Sequence, residues 1–213
     1  IGEKAFCLSS LKILELPKSL EILEDDWCFA IKSLINIKLS PDNENFELID
    51  NKFLIRKNIN NNFFNGDDFL FACRDIETAC IPPNIARIEN NAFFNCLKLK
   101  SISFIDCEFS VLKEICKYSF DNCRSLKSII SIPSSLKIVE NFSFSNCRML
   151  LSCEFLSDEL IFYYGSFLYC NSLSLLAFPS AKKVEFGFNS FLQIQKEVTI
   201  FTEANSKIQL NTM

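Results

Sequence analysis

Apolar and polar positions along this chain follow a pattern that returns about every 24 residues. Four copies are plain: Ala92-Phe93-Phe94-Asn95-Cys96-Leu97-Lys98-Leu99, Ser119-Phe120-Asp121-Asn122-Cys123-Arg124-Ser125-Leu126, Ser143-Phe144-Ser145-Asn146-Cys147-Arg148-Met149-Leu150 and Ser166-Phe167-Leu168-Tyr169-Cys170-Asn171-Ser172-Leu173. With the motif phenylalanine as position zero, one column holds Phe6, Cys28, Phe93, Phe120, Phe144, Phe167 and Phe191, at steps of 22, 65, 27, 24, 23 and 24 residues. An apolar residue stands five positions earlier each time (Ile1, Leu23, Ile88, Ile115, Val139, Phe162, Phe186), and a small one directly before zero except at Trp27. Three positions after zero come Cys96, Cys123, Cys147 and Cys170, replaced by Ile31 and Ile194 in outer copies. Leu34, Leu99, Leu126, Leu150 and Leu173 follow at six, then Ile37, Ile102, Ile129, Cys153 and Leu176 at nine. Self-similarity at such a period marks a solenoid, in which no unit buries its apolar face alone and stacked neighbours build one core.

Each unit carries its own punctuation. The apolar slots alternate at the end of the motif (Ile102 then Phe104, Leu176 then Phe178), which predicts a short strand with one buried face. Pro17, Pro82, Pro133 and Pro179 follow these strands and end them, because proline cannot donate to a sheet ladder. A coil is thus a strand, a proline corner, a second apolar stretch and a phenylalanine-anchored return. Between residues 41 and 82 the period breaks. There Phe46 to Ile49 and Lys52 to Ile55 flank Asp50-Asn51 as a hairpin. Asn58 to Asn62 and Asn65-Gly66-Asp67-Asp68 read as loops, and Phe69 to Cys73 as another strand. The pattern decays past Phe191, so residues 192–213 are expected to form a degenerate last repeat or tail, with Glu203 to Met213 a cap or frayed end. The chain reads as one solenoid over 1–213. Because Ile1-Gly2-Glu3-Lys4-Ala5-Phe6 aligns with Ile88-Glu89-Asn90-Asn91-Ala92-Phe93, we expect it to be a piece of a longer array.

Composition narrows the function classes. The chain has 213 residues, 23 of them Phe, and no histidine, which removes imidazole acid–base chemistry, Ser-His and Cys-His nucleophiles and imidazole metal sites. A net charge of -4 with dispersed basic residues argues against nucleic acid and polybasic membrane sites. No apolar run approaches the ~18 to 20 residues of a membrane span. No catalytic, cofactor-binding or metal site is expected. Cys96, Cys123, Cys147 and Cys170 follow the repeat and not metal-ligand spacing, so they read as a ladder of buried small hydrophobes; disulfides and a metal are the alternatives. Asp25-Asp26, Asp67-Asp68 and Glu154/Asp158/Glu159 read as solvated turns and not as catalytic carboxylates. Asn141-Phe142-Ser143 is a glycosylation triplet if the chain is secreted. The candidate binding surface is the outward side of the strand row: Asn36 and Lys38; Lys100, Ser101 and Ser103; Lys127 and Ser128; Leu151, Ser152 and Glu154; Ser174, Leu175 and Ala177. Leu151 and Leu175 would form a small apolar patch within it.

The columns Ile/Phe-Pro, Ser-Leu and Ala/Ser-Phe-x-x-Cys-x-x-Leu resemble the BspA-like leucine-rich repeat family over nearly the whole chain. Asp42-Asn43-Glu44-Asn45-Phe46 through Asp50-Asn51-Lys52-Phe53-Leu54 is similar to that family's interposed hairpin. The resemblance implies a right-handed leucine-rich-repeat coil with short parallel strands on one face, short strands or irregular returns on the other, and little helix. It also implies a cell-surface, adhesin-type module that binds host or matrix proteins. The chain departs from the family where glycine is usual before the aromatic slot, and its 11 cysteines are many. The Cys-x-x-Leu-x-x-Leu motif also resembles the repeats of intracellular ubiquitin-ligase adaptors, so a cytoplasmic scaffold is the alternative.

Overall fold

The structure is a computed structural model that describes residues 1–58, 65–203 and 206–210. Its strands are β1 (Ile13–Leu16), β2 (Asn36–Leu39), β3 (Phe46–Ile49), β4 (Phe53–Arg56), β5 (Asp67–Ala72), β6 (Thr78–Ile81), β7 (Ile85–Ile88), β8 (Ser101–Phe104), β9 (Glu114–Ile115), β10 (Ser128–Ile132), β11 (Ile138–Val139), β12 (Ser152–Phe155), β13 (Glu159–Phe162), β14 (Leu175–Phe178), β15 (Lys183–Phe186), β16 (Thr199–Thr202) and β17 (Lys207–Leu210). They stack in two rows with the core between. One row is the pair β1-β2 followed, unjoined, by the parallel run β6-β8-β10-β12-β14-β16. The other runs β3-β4-β5-β7-β9-β11-β13-β15-β17, antiparallel through β5 and parallel beyond. The only helical element among the described residues is a 3₁₀ turn at Cys107–Phe109.

Register follows the columns. Ile102, Ile129, Cys153, Leu176 and Ile200 align as Cα partners across the first row. Leu34, Leu99, Leu126, Leu150 and Leu173 are wholly buried beneath them. After the strands, Pro17, Pro82 and Pro133 each accept from the N–H three residues on, at 3.2, 3.3 and 3.1 Å, and the chain turns into the second row. The phenylalanines stack coil on coil: ring centroids lie 4.7 Å apart for Phe69–Phe93, 4.8 Å for Phe93–Phe120, 5.1 Å for Phe120–Phe144 and 5.4 Å for Phe144–Phe167. Removing one ring leaves a cavity that rigid coils above and below cannot close. Phe144→Ala should cost roughly 3 to 5 kcal/mol, read as a lower denaturation midpoint with unchanged slope.

The returns turn by a device that the residue types hide. Two residues per coil, two before and two after position zero, adopt left-handed backbone. In successive coils these are Asn91 and Asn95 (φ 62° and 61°), Tyr118 and Asn122 (55° and 64°), Phe142 and Asn146 (57° and 57°), and Gly165 and Tyr169 (63° and 62°). Asparagine tolerates this region, whereas tyrosine and phenylalanine adopt it only under strain. Stacking offsets that strain: the Tyr118 and Phe142 rings lie 5.1 Å apart and nearly parallel. At Gly165 the Phe142 ring fills the space, and a Cβ there would meet it at 2.8 Å.

Several expectations change. Asp67 and Asp68 are not loop residues but open β5. Asp67 accepts from the Asn58 N–H and Asn84 Nδ2, just beyond β4 and before β7, and Asp68, almost fully buried, binds Arg56 of β4 at 2.7 Å. The regular columns resume inside the irregular stretch, with Cys73, Ile76, Ala79 and Ile81 in the slots of Cys96, Leu99, Ile102 and Phe104. Past Glu203, Lys207–Leu210 pairs with β15 through backbone bonds that its polar side chains do not impede. Within the expected loop at Asn58 to Asn62, residues 59–62 lie outside the described residues, as do 204–205 and 211–213 of the expected tail.

Candidate interaction surface

The solenoid offers two kinds of potential site, polar or reactive clusters and an exposed face. The cysteines are the obvious reactive groups, and all eleven are free thiols. They do more than fill space. Cys123, Cys147 and Cys170 each point Sγ at the backbone oxygen of position zero in the preceding coil: Phe93 at 3.1 Å, Phe120 at 3.1 Å and Phe144 at 3.0 Å. Burial pushes the thiols of Cys28 and Cys96 up to about 12, and those of Cys123 and Cys147 well above their ordinary value. A thiol held protonated in apolar surroundings is neither a nucleophile nor a ready metal ligand. Among the described residues, no group of three or more cysteine or acidic side chains is placed to hold a metal ion.

The buried polar groups are structural. Arg74 is almost fully enclosed, and among the described residues no carboxylate pairs with it. It donates from Nε to Ile31 O at 3.2 Å, from Nη1 to Ala72 O at 3.0 Å and Ala92 O at 2.9 Å, and from Nη2 to Asn91 O at 3.1 Å. The Phe71 ring lies 4.0 Å from its guanidinium carbon. The second row carries an ionic chain in which Arg56 reaches Asp68 and Glu89, and Arg87 reaches Glu89 and Glu114. Burial raises the Glu89 carboxyl despite these arginines. Within the glycosylation triplet, Asn141 is half-buried and its Oδ1 accepts from the Tyr164 N–H at 3.0 Å, while Ser143 is wholly buried.

The strand row gives the exposed face. Ser101, Ser128, Ser152 and Leu175 form one outward file in register, continued by Thr78 and Thr199 at either end. Ser103, Glu154 and Ala177 lie in the next outward file with Cys80 and Phe201. Lys100, Lys127, Leu151 and Ser174 precede the strands, each N–H bonded to the same slot one coil earlier; for Lys100 that slot is Glu77. Asn36 and Lys38 stand apart: their strand β2 belongs to the separate pair, so the face is not one continuous sheet. Lys38 and Lys100 are ion-paired across coils, with Glu15 at 2.6 Å and Glu77 at 2.7 Å.

Sequence reasoning missed two outward residues. A bulge at Ile130-Ser131 inserts one residue into β10, visible as the extra position before Pro133 compared with Pro82. Ser131 sits left-handed at φ 55°, its N–H held by Glu154 Oε2 at 3.1 Å, and Ile130 is 62% exposed. Phe201, 54% exposed, pairs with Ala177. With Leu151 and Leu175 they make the C-terminal part of the face apolar, while Lys100, Ser101, Ser103, Lys127 and Ser128 keep the other part polar.

Stacked parallel-strand coils with a buried leucine at a fixed slot define a leucine-rich-repeat solenoid. The chain belongs to the BspA type leucine rich repeat region family, whose sequence profile matches as six copies over residues 1–112 and 106–212. Among solved structures it is similar to a leucine rich cell surface protein from Faecalibacterium prausnitzii (TM-score 0.79, 23% identity, 95% of this chain and 50% of that one). A leucine-rich repeat protein from Eubacterium ventriosum is similar at TM-score 0.75 and 19% identity, over 91% of this chain and 49% of that one. The pneumococcal vaccine antigen PcpA is similar at TM-score 0.75 and 18% identity, over 99% and 58%. At these identities the likeness is one of fold. The chain spans about half the length of these proteins. No curated protein matches it. Among the described residues no helix is long and apolar enough to cross a membrane.

Proposed function

We infer that this chain is a non-catalytic protein-interaction module of adhesin type, displayed at the cell surface, that engages host or matrix proteins through its strand face. The observation that carries the reading is the face itself. It is an extended outward surface, polar around Lys100 and Lys127 and apolar around the adjoining Ile130, Leu151, Leu175 and Phe201, and protein interfaces combine both kinds of contact. Solenoids generally bind through such extended surfaces. The partner-contacting residues on this reading are Lys100, Ser101, Ser103, Lys127, Ser128, Leu151, Ser152, Glu154, Ser174 and Leu175, with Asn36 and Lys38 on a separate patch. The surface setting is supported by the family and by the solved relative described as a cell surface protein.

The alternative, a cytoplasmic scaffold, rests on the Cys-x-x-Leu-x-x-Leu motif and on the 11 cysteines. Eight of the eleven thiols are buried and so shielded from oxidation, whereas Cys80 is exposed and Cys7 and Cys107 partly so, and these three still favour a reducing compartment. The test is a panel of immobilised extracellular matrix proteins probed with the wild type and with a Lys127→Glu, Leu151→Glu double variant. The variant should keep the wild-type melting temperature and lose capture by about tenfold or more, as removal of central contacts does. Undiminished capture by a folded variant would move the interface off this face.

A further inference from the structure

We propose that the break in the first strand row is a second binding site, which takes an extended peptide from a partner protein as an added strand along the open edge of β2. The proposal stands independently of the strand-face reading. Its basis is the alternation of backbone groups. Asn36 N–H donates to Lys12 O at 3.2 Å and Ser40 N–H to Leu16 O at 3.0 Å, so the residues of that parity, Lys38 included, turn their N–H and C=O towards β1. Ile37 and Leu39 are of the other parity and turn theirs away from β1. Among the described residues no strand pairs with that side of β2, because the row resumes only at β6. The Ile35 carbonyl shows what the edge accepts: Lys52 Nζ donates to it at 3.0 Å.

The hairpin of β3 and β4 holds the break open. Its tight turn at Asp50 and Asn51, both left-handed at φ 52° and 54°, delivers Lys52 between the two parts of the row, where Asp75 clamps the ammonium at 2.8 Å. The result is an open groove of about 610 Å³ along β2, lined by its backbone and by Leu39, Leu48, Asn51, Lys52 and Asp75. That volume lies within the roughly 300–1,000 Å³ of ligand sites. Unlike the edges at the two ends of the rows, this one is internal, walled by the next part of the molecule.

The occupant follows from these groups. Main-chain donors and acceptors spaced along a strand are matched by another extended backbone, the physics of strand addition. On β2 the outward side chains are Asn36 and Lys38, and the inward ones Ile37 and Leu39. A peptide laid beside them places every second side chain over Leu39 and Leu48, and those positions should be aliphatic. The ligand class is therefore an extended segment of alternating aliphatic and polar residues.

Random heptapeptides displayed on phage, selected against the intact protein, supply the probe, and the best-enriched sequence is synthesised. Amide hydrogen exchange of the complex should slow at Ile37 and Leu39 by about tenfold or more and stay unchanged at Asn36 and Lys38. Leu39→Pro removes an edge donor without touching the β1 ladder and should weaken the peptide by about tenfold or more, about 1.4 kcal/mol. If that variant melts early, Leu48→Lys, which obstructs the groove and leaves the edge whole, should do the same. The strand-face double variant should bind the peptide normally. Failure to enrich any sequence, or binding without protection at Ile37 and Leu39, would overturn the proposal. Protection of the same amides in a dimer seen by sedimentation, with no peptide present, would replace the partner peptide by a second copy of the chain.

Discussion

Raising the pH from 8 to about 11 should unfold this protein. Seven thiols, those of Cys28, Cys73, Cys96, Cys116, Cys123, Cys147 and Cys153, are held above their ordinary value of 9, first of all by burial. A group whose folded value is raised contributes stability that is complete below its unfolded value and is lost as the pH climbs through the folded one. The unfolded chain ionises near pH 9, and the folded one resists until about 11 at Cys73 and about 12 at Cys28 and Cys96. Each thiol then costs about 1.4 kcal/mol per pH unit in that window. One and a half units above the ordinary value, Cys28, Cys73, Cys96 and Cys153 together remove roughly 8 kcal/mol, a large part of the ~5–15 kcal/mol a domain has, and the other three thiols act in the same direction. Chemical denaturation between pH 8 and 10.5 measures the slope. Cys153→Val, at a slot that holds isoleucine or leucine in other coils, should reduce that slope by about one proton. An unchanged slope would mean that the thiols do not carry it.

The second large effect is at Arg74. Its donors satisfy carbonyls of Ile31 on one side of the irregular stretch and of Asn91 and Ala92 on the other. Besides this arginine, the coils are bridged there by Asn91 Nδ2 to Asp26 at 2.8 Å and by the Phe29–Phe94 ring contact at 6.5 Å. Arg74→Ala removes four donated bonds at once, to Ile31, Ala72, Ala92 and Asn91, and should cost roughly 2 to 6 kcal/mol at ~0.5–1.5 kcal/mol for each bond. Because each coil is held mainly by its neighbours, the loss should be local. Amide exchange should accelerate over residues 1–40, while the Phe144 and Phe167 coils stay protected. Uniform loss across the chain would show that the array unfolds as one unit.

How much of this was legible in the sequence depended on whether a residue advertises its place. Phenylalanine, leucine and cysteine recur at fixed offsets because each is buried against the same slot above and below, so the coils were plain. The coil that resumes at Cys73 was hidden because Leu70 stands where most other coils have a phenylalanine after a small residue. The left-handed turns were hidden because glycine, the residue that signals them, fills such a slot only at Gly165, while the others hold asparagine, aspartate, glutamine, lysine, leucine, alanine, tyrosine or phenylalanine. Asp68 looked like a loop residue because a carboxylate in a buried strand needs a partner such as Arg56, twelve residues away, which a local pattern does not reveal. The outward slots of the candidate surface followed from strand alternation. The break that sets Asn36 and Lys38 apart, and the bulge that adds Ile130, arise from chain pairing and were not in the alternation.

The central claim, a surface-displayed interaction module, is tested most directly by labelling source cells with an antibody raised against this chain, first intact and then permeabilised. Labelling of intact cells, unchanged by permeabilisation, is the predicted result. Labelling that appears only after permeabilisation would contradict it and return the molecule to the cytoplasm.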